Sequence, residues 1–248
     1  MYPDVTQILS FYRSPLGRYC ETALADRVLG KWAGGADALR IAGFGHTSPL
    51  FTHWPDQAII KANMMPAPMG VNVWPQHGAN KSLLTDETAL PLADESLDRI
   101  VICHALEHVR SPRQFLREIW RVTEPEGRII LIVPNRRSLW ALSDRTPFGH
   151  GLPFSKRQLA SLLEDSLFEA TAWTGALYGL PSAGELSVNL STRLEPWGQR
   201  LWPNLPGVWL VEAKKRVMAP LTGSPSLKQK AYAVAGLSSR PSSTPSSS

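Results

Sequence analysis

The sequence predicts an α/β fold in which an open, mostly parallel sheet carries helices on both faces. Apolar runs of strand length alternate with helical segments along the chain. The runs LDRIVIC (97–103) and GRIILIVP (127–134) are apolar at successive positions, as strands buried on both faces are. With 248 residues, 43% of them hydrophobic, the chain is long enough to bury such a sheet.

The N-terminal part of the chain contributes helices and the first two strands. Residues 4–33 are predicted to be helical, and Pro15 is placed to open a helix because proline suits the first helical position. ALRIAGF (38–44) and QAIIKAN (57–63) are short apolar runs, each followed by turn-forming residues. They are predicted to be strands.

Two later helices are predicted from their N-terminal caps. Ser111 precedes Pro112 and is followed by Gln114, which is the arrangement of a capping box. Ser155 and Gln158 repeat this arrangement. The first of these helices then carries one apolar face, formed by Phe115, Leu116, Ile119 and Val122.

The C-terminal part adds two strands, a helix and a tail. A weak strand is predicted at 169–178, a polar helical stretch at 183–201 and a last strand at 207–213. The chain ends in SSRPSSTPSSS, a composition that buries too little apolar area to order itself. Three regions are therefore expected: N-terminal helices packing on the core, an α/β domain with the helical stretch as an insert, and a disordered Ser/Pro-rich basic tail (1–34, 35–217 and 218–248).

The basic character of the chain is concentrated near its C-terminus. The net charge is +5 and the pI is 9.4, but residues 213–248 hold six of the 26 Lys and Arg residues and none of the 21 acids. Residues 1–212 therefore carry 20 basic and 21 acidic side chains. A nucleic-acid partner is not expected, since a solvated basic tail accounts for the charge, although attraction of that tail to RNA or anionic lipid stays open.

The sequence carries no pattern typical of export or of a membrane span. No apolar run approaches the ~20 residues that cross a bilayer. The N-terminus MYPDVTQILSFYR lacks the basic and apolar regions of a signal peptide. Cys20 and Cys103 are far apart in sequence and are expected to stay reduced. A cytoplasmic protein is predicted.

The pentapeptide HALEH permits two interpretations. His104, Glu107 and His108 have the H-x-x-E-H spacing of certain zinc peptidases, in which two imidazoles bind the metal and a carboxylate acts as base. Glu185 is available downstream as a third ligand. The pentapeptide also directly follows a buried strand and precedes a newly capped helix, which fits a loop at a sheet edge. The second interpretation is preferred, and no metal site is predicted.

A glycine loop follows the first predicted strand. Gly43 and Gly45, in GFGHTSP, allow a backbone to approach a ligand closely at a strand-to-helix turn. A plain turn is the alternative, because no third glycine completes a dinucleotide motif. In open α/β sheets, ligands bind outside the carboxyl ends of the strands, where this loop is expected to lie.

The central part of the chain carries a series of landmarks in a fixed order: Leu90-Pro91, Asp94, Ser96, Asp98, His104, Leu106-Glu107-His108, Pro112, Arg121-Val122, Pro125, Gly127 and Pro134-Asn135. In the identity and order of these landmarks, the stretch 84–135 resembles class I S-adenosylmethionine-dependent methyltransferases of the small-molecule "type 11" kind. The resemblance covers roughly 35–180. It implies a Rossmann-like, seven-stranded sheet, S-adenosyl-L-methionine as cofactor and methyl transfer to a small-molecule acceptor, in a divergent bacterial member.

The resemblance also assigns cofactor contacts to particular residues. Asp86 would receive the adenine amino group, which suits a carboxylate because it has only acceptors. The backbone N–H of Glu87 would meet the adenine ring. The glycine loop would contribute Gly43, Phe44 and Gly45.

Two histidines are candidates for the chemistry. His104 matches the residue that lies beside the methyl donor, and both His104 and His108 could act as base for an acceptor that loses a proton. The alternative is that each caps the short turn or packs locally. After the fifth strand, Trp140, Phe148 and His150 are candidates for the wall of an acceptor pocket.

The sequence departs from the family pattern at three positions. Ile41 stands where an acid usually precedes the glycines, and Thr47 replaces the third glycine. In the second strand, Asn63 replaces the acid that binds the ribose hydroxyls. The charge-assisted hydrogen bonds of such an acid contribute ~1.5–3 kcal/mol to binding. These departures support an alternative function, a catalytically inactive methyltransferase-like binding or scaffolding protein.

Overall fold

The structure, a computed structural model, describes residues 2–32, 39–54 and 59–217. They form one seven-stranded sheet in the order β3-β2-β1-β4-β5-β7-β6. Strands β1 to β5 pair in parallel, whereas β7 is antiparallel to both of its neighbours. The strands are β1 (Arg40–Gly45), β2 (Ile59–Pro66), β3 (Ser82–Thr85), β4 (Leu97–Cys103), β5 (Thr123–Pro134), β6 (Phe168–Ala176) and β7 (Val208–Lys215).

Six α-helices accompany the sheet within the described ranges, and local chemistry explains several of their ends. The first begins where the Asp4 carboxylate accepts the N–H of Thr6 at 2.8 Å, and it stops at Ser14 because Pro15 opens the next. The helices are α1 (Val5–Arg13), α2 (Pro15–Trp32), α3 (Ser48–Phe51), α4 (Pro112–Val122), α5 (Lys156–Asp165) and α6 (Glu185–Leu201).

The hydrophobic core lies on both faces of the sheet. Along β4, Val101 and Cys103 pack in the cluster that contains α1 and α2, whereas Ile100 and Ile102 pack in the cluster that contains α4 and α5. Successive side chains of a strand point to opposite faces, so the segment 100–103, which is buried on both sides, is apolar at four positions in succession. This confirms the predicted α/β fold with helices on both faces.

Several predicted details are corrected by the structure. β3 was absent from the predicted strands, whereas the N-terminal helices are present, with Pro15 opening the second as predicted. Ser111 precedes α4, but its side chain makes no capping hydrogen bond, whereas Ser155 and Gln158 do form the predicted capping box. The predicted tail, 218–248, lies outside the described residues.

The described part of the chain also bears on the membrane and disulfide expectations. Among its helices, none combines the length and apolarity that crossing a bilayer requires. Cys20 and Cys103 are both buried as free thiols, and burial raises the pKa of each well above its usual value.

Candidate active site

The parallel strands bring several predicted site residues to one edge of the sheet. Gly43 pairs with Asn63 of β2, and Gly45 pairs with Cys103, the residue before His104. Because parallel strands share the edge at which they end, the glycine loop, Asn63 and His104 are neighbours. The sequence therefore placed these candidates on the correct edge.

The glycine loop packs tightly against other residues of the chain. A Cβ on Gly43 would lie 1.8 Å from the Thr47 hydroxyl oxygen, and a Cβ on Gly45 would lie 2.1 Å from the Cys103 carbonyl oxygen. The His46 N–H donates to that same carbonyl at 3.0 Å. Gly45 also has φ +83°, a backbone conformation that other residues rarely adopt. Both glycines are thus required by contacts within the chain.

Asn63 is turned toward the protein rather than toward a cavity. It is fully buried, and its carbonyl oxygen accepts the Thr47 hydroxyl at 2.6 Å. Its amide group donates to the hydroxyl of Ser82 at 3.4 Å. Two of the three departures from the family pattern, at Thr47 and Asn63, are therefore hydrogen-bonded to each other. The Phe44 side chain is likewise buried, 4.6 Å from the Phe115 ring between centroids.

The N-terminal helix reaches the position where the methyl donor is expected. The Tyr12 hydroxyl lies 2.8 Å from Nε2 of His104, and the Tyr12 ring lies 5.4 Å from the His46 ring. Phe148 also contacts His104, with 4.7 Å between ring centroids. All four side chains are buried. Sequence reasoning missed Tyr12, because the N-terminal helices fall outside the segment that carries the resemblance.

The HALEH segment holds a cluster of buried titratable side chains. Glu107 is fully buried, and desolvation raises the pKa of its carboxyl group to about 8. Oε1 of Glu107 lies 3.8 Å from Nδ1 of His104 and 3.9 Å from Nε2 of His108. Burial lowers the pKa of His104 well below its usual range and that of His46 to about 4. At neutral pH these groups are therefore mostly uncharged.

The geometry gives the zinc alternative no ligand set. Within the described ranges, no three His, Cys, Asp or Glu side chains are arranged so as to hold a metal ion. His104 adopts φ +53° at the turn that ends β4, and its Nε2 is engaged by the Tyr12 hydroxyl. HALEH is the loop after the fourth strand, as the preferred interpretation predicts.

A cavity of about 820 Å³ opens beside the residues assigned to adenine. Asp86 lies in its wall, where its Oδ1 accepts the N–H and the hydroxyl of Thr88, both at 2.7 Å. Both bonds lower the pKa of the Asp86 carboxyl group, and the bond from the backbone N–H has the larger effect. The carboxyl group therefore stays ionised at neutral pH. The other walls include Tyr2, Glu87, His108 and Gln114.

The two halves of the expected cofactor site differ in the space they offer. The Asp86 cavity has the volume and the ionised acceptor that an adenine ring with its amino group needs. The donor half is filled by the chain's own Tyr12, His46 and Thr47, all buried. The residues present fit the adenine end of S-adenosylmethionine, and its amino-acid end would fit only if Tyr12 moved.

The three residues predicted to wall an acceptor pocket differ in burial. Trp140 and Phe148 are buried next to each other, with 5.8 Å between ring centroids, and Phe148 contacts His104. His150 is exposed. The segment after β5 therefore does reach the site, but through two of the three predicted residues.

The comparisons with known proteins agree with this geometry. Residues 43–131, from the glycine loop into β5, match the family model described as "Methyltransferase domain". This segment of the chain therefore belongs to that methyltransferase family. The fold of this methyltransferase domain is shared with an S-adenosylmethionine-dependent methyltransferase from Mesorhizobium loti, at a TM-score of 0.53 and 14% identity over 79% of this chain and 100% of that one.

Curated relatives of the methyltransferase domain match over shorter stretches. A "probable S-adenosylmethionine-dependent methyltransferase" of Mycolicibacterium smegmatis is 29% identical over 131 residues, which is 48% of this chain and 51% of the relative. A "demethylmenaquinone methyltransferase" of Renibacterium salmoninarum is 44% identical over 46 residues, 18% of this chain and 19% of the relative. The chain thus spans about half or less of the length of these relatives.

Proposed function

We propose that this protein transfers a methyl group from S-adenosyl-L-methionine to a small-molecule acceptor. The observation that carries the proposal is the cavity walled by Asp86 at the carboxyl edge of a methyltransferase sheet. An ionised carboxylate there can accept the adenine amino group, while the backbone N–H of Glu87 is the predicted contact to the ring.

The chemistry asks little of the side chains. Bound S-adenosylmethionine supplies a methyl group that its sulfonium has already activated. The protein's task is to align donor and acceptor and to exclude water. His104 is neutral at physiological pH because burial lowers its pKa, so its imidazole can accept a proton from an acceptor hydroxyl or amine. His108 remains a second candidate base.

The N-terminal segment covers both halves of the proposed site. The Tyr2 hydroxyl donates to Glu87 Oε2 at 2.6 Å, and the Tyr12 hydroxyl is bonded to His104. Each phenol therefore joins this segment to a residue assigned to the cofactor. We infer that cofactor binding separates Tyr12 from His104, and that the structure represents the closed state.

Thermal unfolding in the presence of S-adenosylhomocysteine tests the proposal. A ligand that binds only the folded state raises the melting temperature with its concentration. The wild-type protein should show this rise and Asp86→Ala should lose it, whereas Asp144→Ala, an exposed acid outside the cavity, should retain it. No rise in the wild-type protein at millimolar ligand contradicts the proposal.

The acceptor and the compartment belong to the proposal as well. A relative is named as acting on demethylmenaquinone, so this is the first acceptor to assay with labelled S-adenosylmethionine. Two buried free thiols suit a reducing cytoplasm, where we expect the protein to act.

The filled donor half favours a second candidate function. Thr47 is hydrogen-bonded to Asn63, and Tyr12 to His104, so polar side chains of the site are bonded to one another rather than to a ligand. A non-catalytic binding or scaffolding protein would keep this arrangement. Its signature is that neither the wild-type protein nor Tyr12→Ala binds S-adenosylhomocysteine in calorimetric titration, while both stay folded by circular dichroism.

A further inference from the structure

Helix α6 presents its apolar side chains to solvent. The exposed fractions are 87% for Leu186, 54% for Leu190, 56% for Trp197 and 58% for Leu201. At 100° per residue these four positions fall within about 60° of one another, so they form one stripe along the helix. A surface helix of a globular protein normally turns such a stripe toward the core.

The fully buried residues of α6 are instead polar or small. Ser191, Glu195 and Gly198 are its buried residues. The Glu195 carboxylate accepts the Tyr19 hydroxyl at 2.7 Å and the N–H groups of Leu177 and Tyr178 at 3.0 and 2.8 Å. These bonds fix the rotation of the helix, since turning the stripe inward would carry Glu195 away and leave the Tyr19 hydroxyl and the two N–H groups without their acceptor.

Positive charge accompanies the outward stripe. Arg193 and Arg200 are exposed and lie beside the apolar positions on the helical wheel. Glu185, at the first position, is the exposed acid of this helix, because Glu195 faces inward. Leucine and tryptophan in the apolar stripe with arginine along its border is the pattern of helices that lie in the surface of an anionic membrane.

The apolar surface continues beyond the helix. Trp202 and Leu205, which follow α6, are 45% and 51% exposed. Leu180, before α6, and Leu142, after β5, are exposed by 54% and 76% and lie in loops at the carboxyl edge of the sheet. The stripe therefore begins at the edge that carries the candidate active site.

We propose that α6 docks the protein on an anionic lipid surface. The helix would lie in the interface with its apolar stripe among the acyl chains and its arginines at the headgroups, because the stripe is apolar, carries a tryptophan and is bordered by cations. A second copy of the chain is the competing occupant. Arginines beside the stripe oppose it, since a symmetric pairing through this stripe would bring like charges together. The proposal does not depend on methyl transfer.

Vesicle sedimentation of the full chain tests this proposal. The wild-type protein should pellet with vesicles of phosphatidylcholine and phosphatidylglycerol, and less with phosphatidylcholine alone. The double variant Leu186→Gln, Trp197→Gln should bind the anionic vesicles at least about tenfold more weakly. Val73→Gln, at an apolar residue that is 62% exposed outside the stripe, is the matched control and should bind like the wild-type protein.

Three results would contradict membrane docking through α6. Absence of binding to anionic vesicles, or equal binding by the wild-type protein and the double variant, would overturn the proposal. So would a dimer in light scattering that the double variant abolishes. S-adenosylhomocysteine should raise the melting temperature of the double variant as it does that of the wild-type protein, so failure of cofactor binding and failure of membrane binding are distinguishable.

Discussion

Replacement of the buried Glu107 by glutamine should change how stability depends on pH. Glu107 is fully buried, and desolvation raises the pKa of its carboxyl group from the usual 4.5 to about 8. Between these values the unfolded chain releases a proton that the folded chain keeps, so the free energy of unfolding falls as the pH rises. In this pH range, the free energy of unfolding is lowered because the folded protein must keep Glu107 protonated.

The size of this effect follows from the two pKa values. From pH 4.5 to neutral pH, the wild-type protein should lose about 3 kcal/mol of stability through Glu107 alone. Glu107→Gln keeps the shape of the protonated side chain and removes the ionisation. Relative to the wild-type protein it should therefore gain about 3 kcal/mol over this interval, or roughly 6–12 °C in melting temperature for a chain of this length. Above about pH 8 the gain should level off.

Urea unfolding of both proteins from pH 5 to about pH 9 measures this difference. His46 and His104 have lowered pKa values and lose stability in the opposite direction, as the pH falls below 6.5, but their contribution is the same in both proteins and cancels in the difference. Glu164→Gln, an exposed acid of α5, is the control and should follow the wild-type profile. Parallel profiles for Glu107→Gln and the wild-type protein would refute the reasoning.

Three further outcomes are expected. Tyr12→Phe removes one hydrogen bond from the closed state, worth about 1 kcal/mol, so S-adenosylhomocysteine should bind up to about fivefold more tightly in calorimetric titration; weaker binding would show that Tyr12 holds the ligand instead. Gly45→Ala places a Cβ 2.1 Å from the Cys103 carbonyl oxygen at φ +83° and should lower the free energy of unfolding by about 2 kcal/mol or more in urea. Gly30→Ala, in α2 with open space around it, is its control and should be neutral or stabilising by about 0.5–1 kcal/mol. Asp86→Ala should abolish the thermal shift with S-adenosylhomocysteine, and a shift equal to that of the wild-type protein would place the adenine elsewhere.

The fold was predictable because strong local signals mark its central elements. β4 and β5 are apolar on both faces, and α4 has a continuous apolar face, so period and length define them without tertiary information. β3 was missed because it has four residues at the sheet edge and alternates weakly, which leaves pairing with β2 to define it.

The candidate site was predictable only in part. The register of the parallel strands brings the glycine loop, Asn63 and His104 together, and a motif with fixed spacing can indicate that. Whether a side chain faces a ligand or the protein is decided by partners distant in sequence. Tyr12 is 92 residues from His104, and no pattern in the first helix indicates their hydrogen bond.

The two substitutions in the family pattern became interpretable only in the folded chain. Read singly, Thr47 and Asn63 are losses of cofactor contacts. In the structure they form a hydrogen bond of 2.6 Å beneath the glycine loop, so one substitution accommodates the other. A sequence shows each position, whereas compensation between positions 16 residues apart requires the geometry.

We propose that a methyltransferase cofactor site lies under the N-terminal helix and opens when the cofactor binds. The distance between the Tyr12 hydroxyl and His104 Nε2, 2.8 Å in the structure, measures it directly. A crystal structure with S-adenosylhomocysteine should show the adenine amino group on the Asp86 carboxylate and this contact broken. Ligand bound elsewhere, or bound here with the Tyr12–His104 contact intact, would contradict the claim.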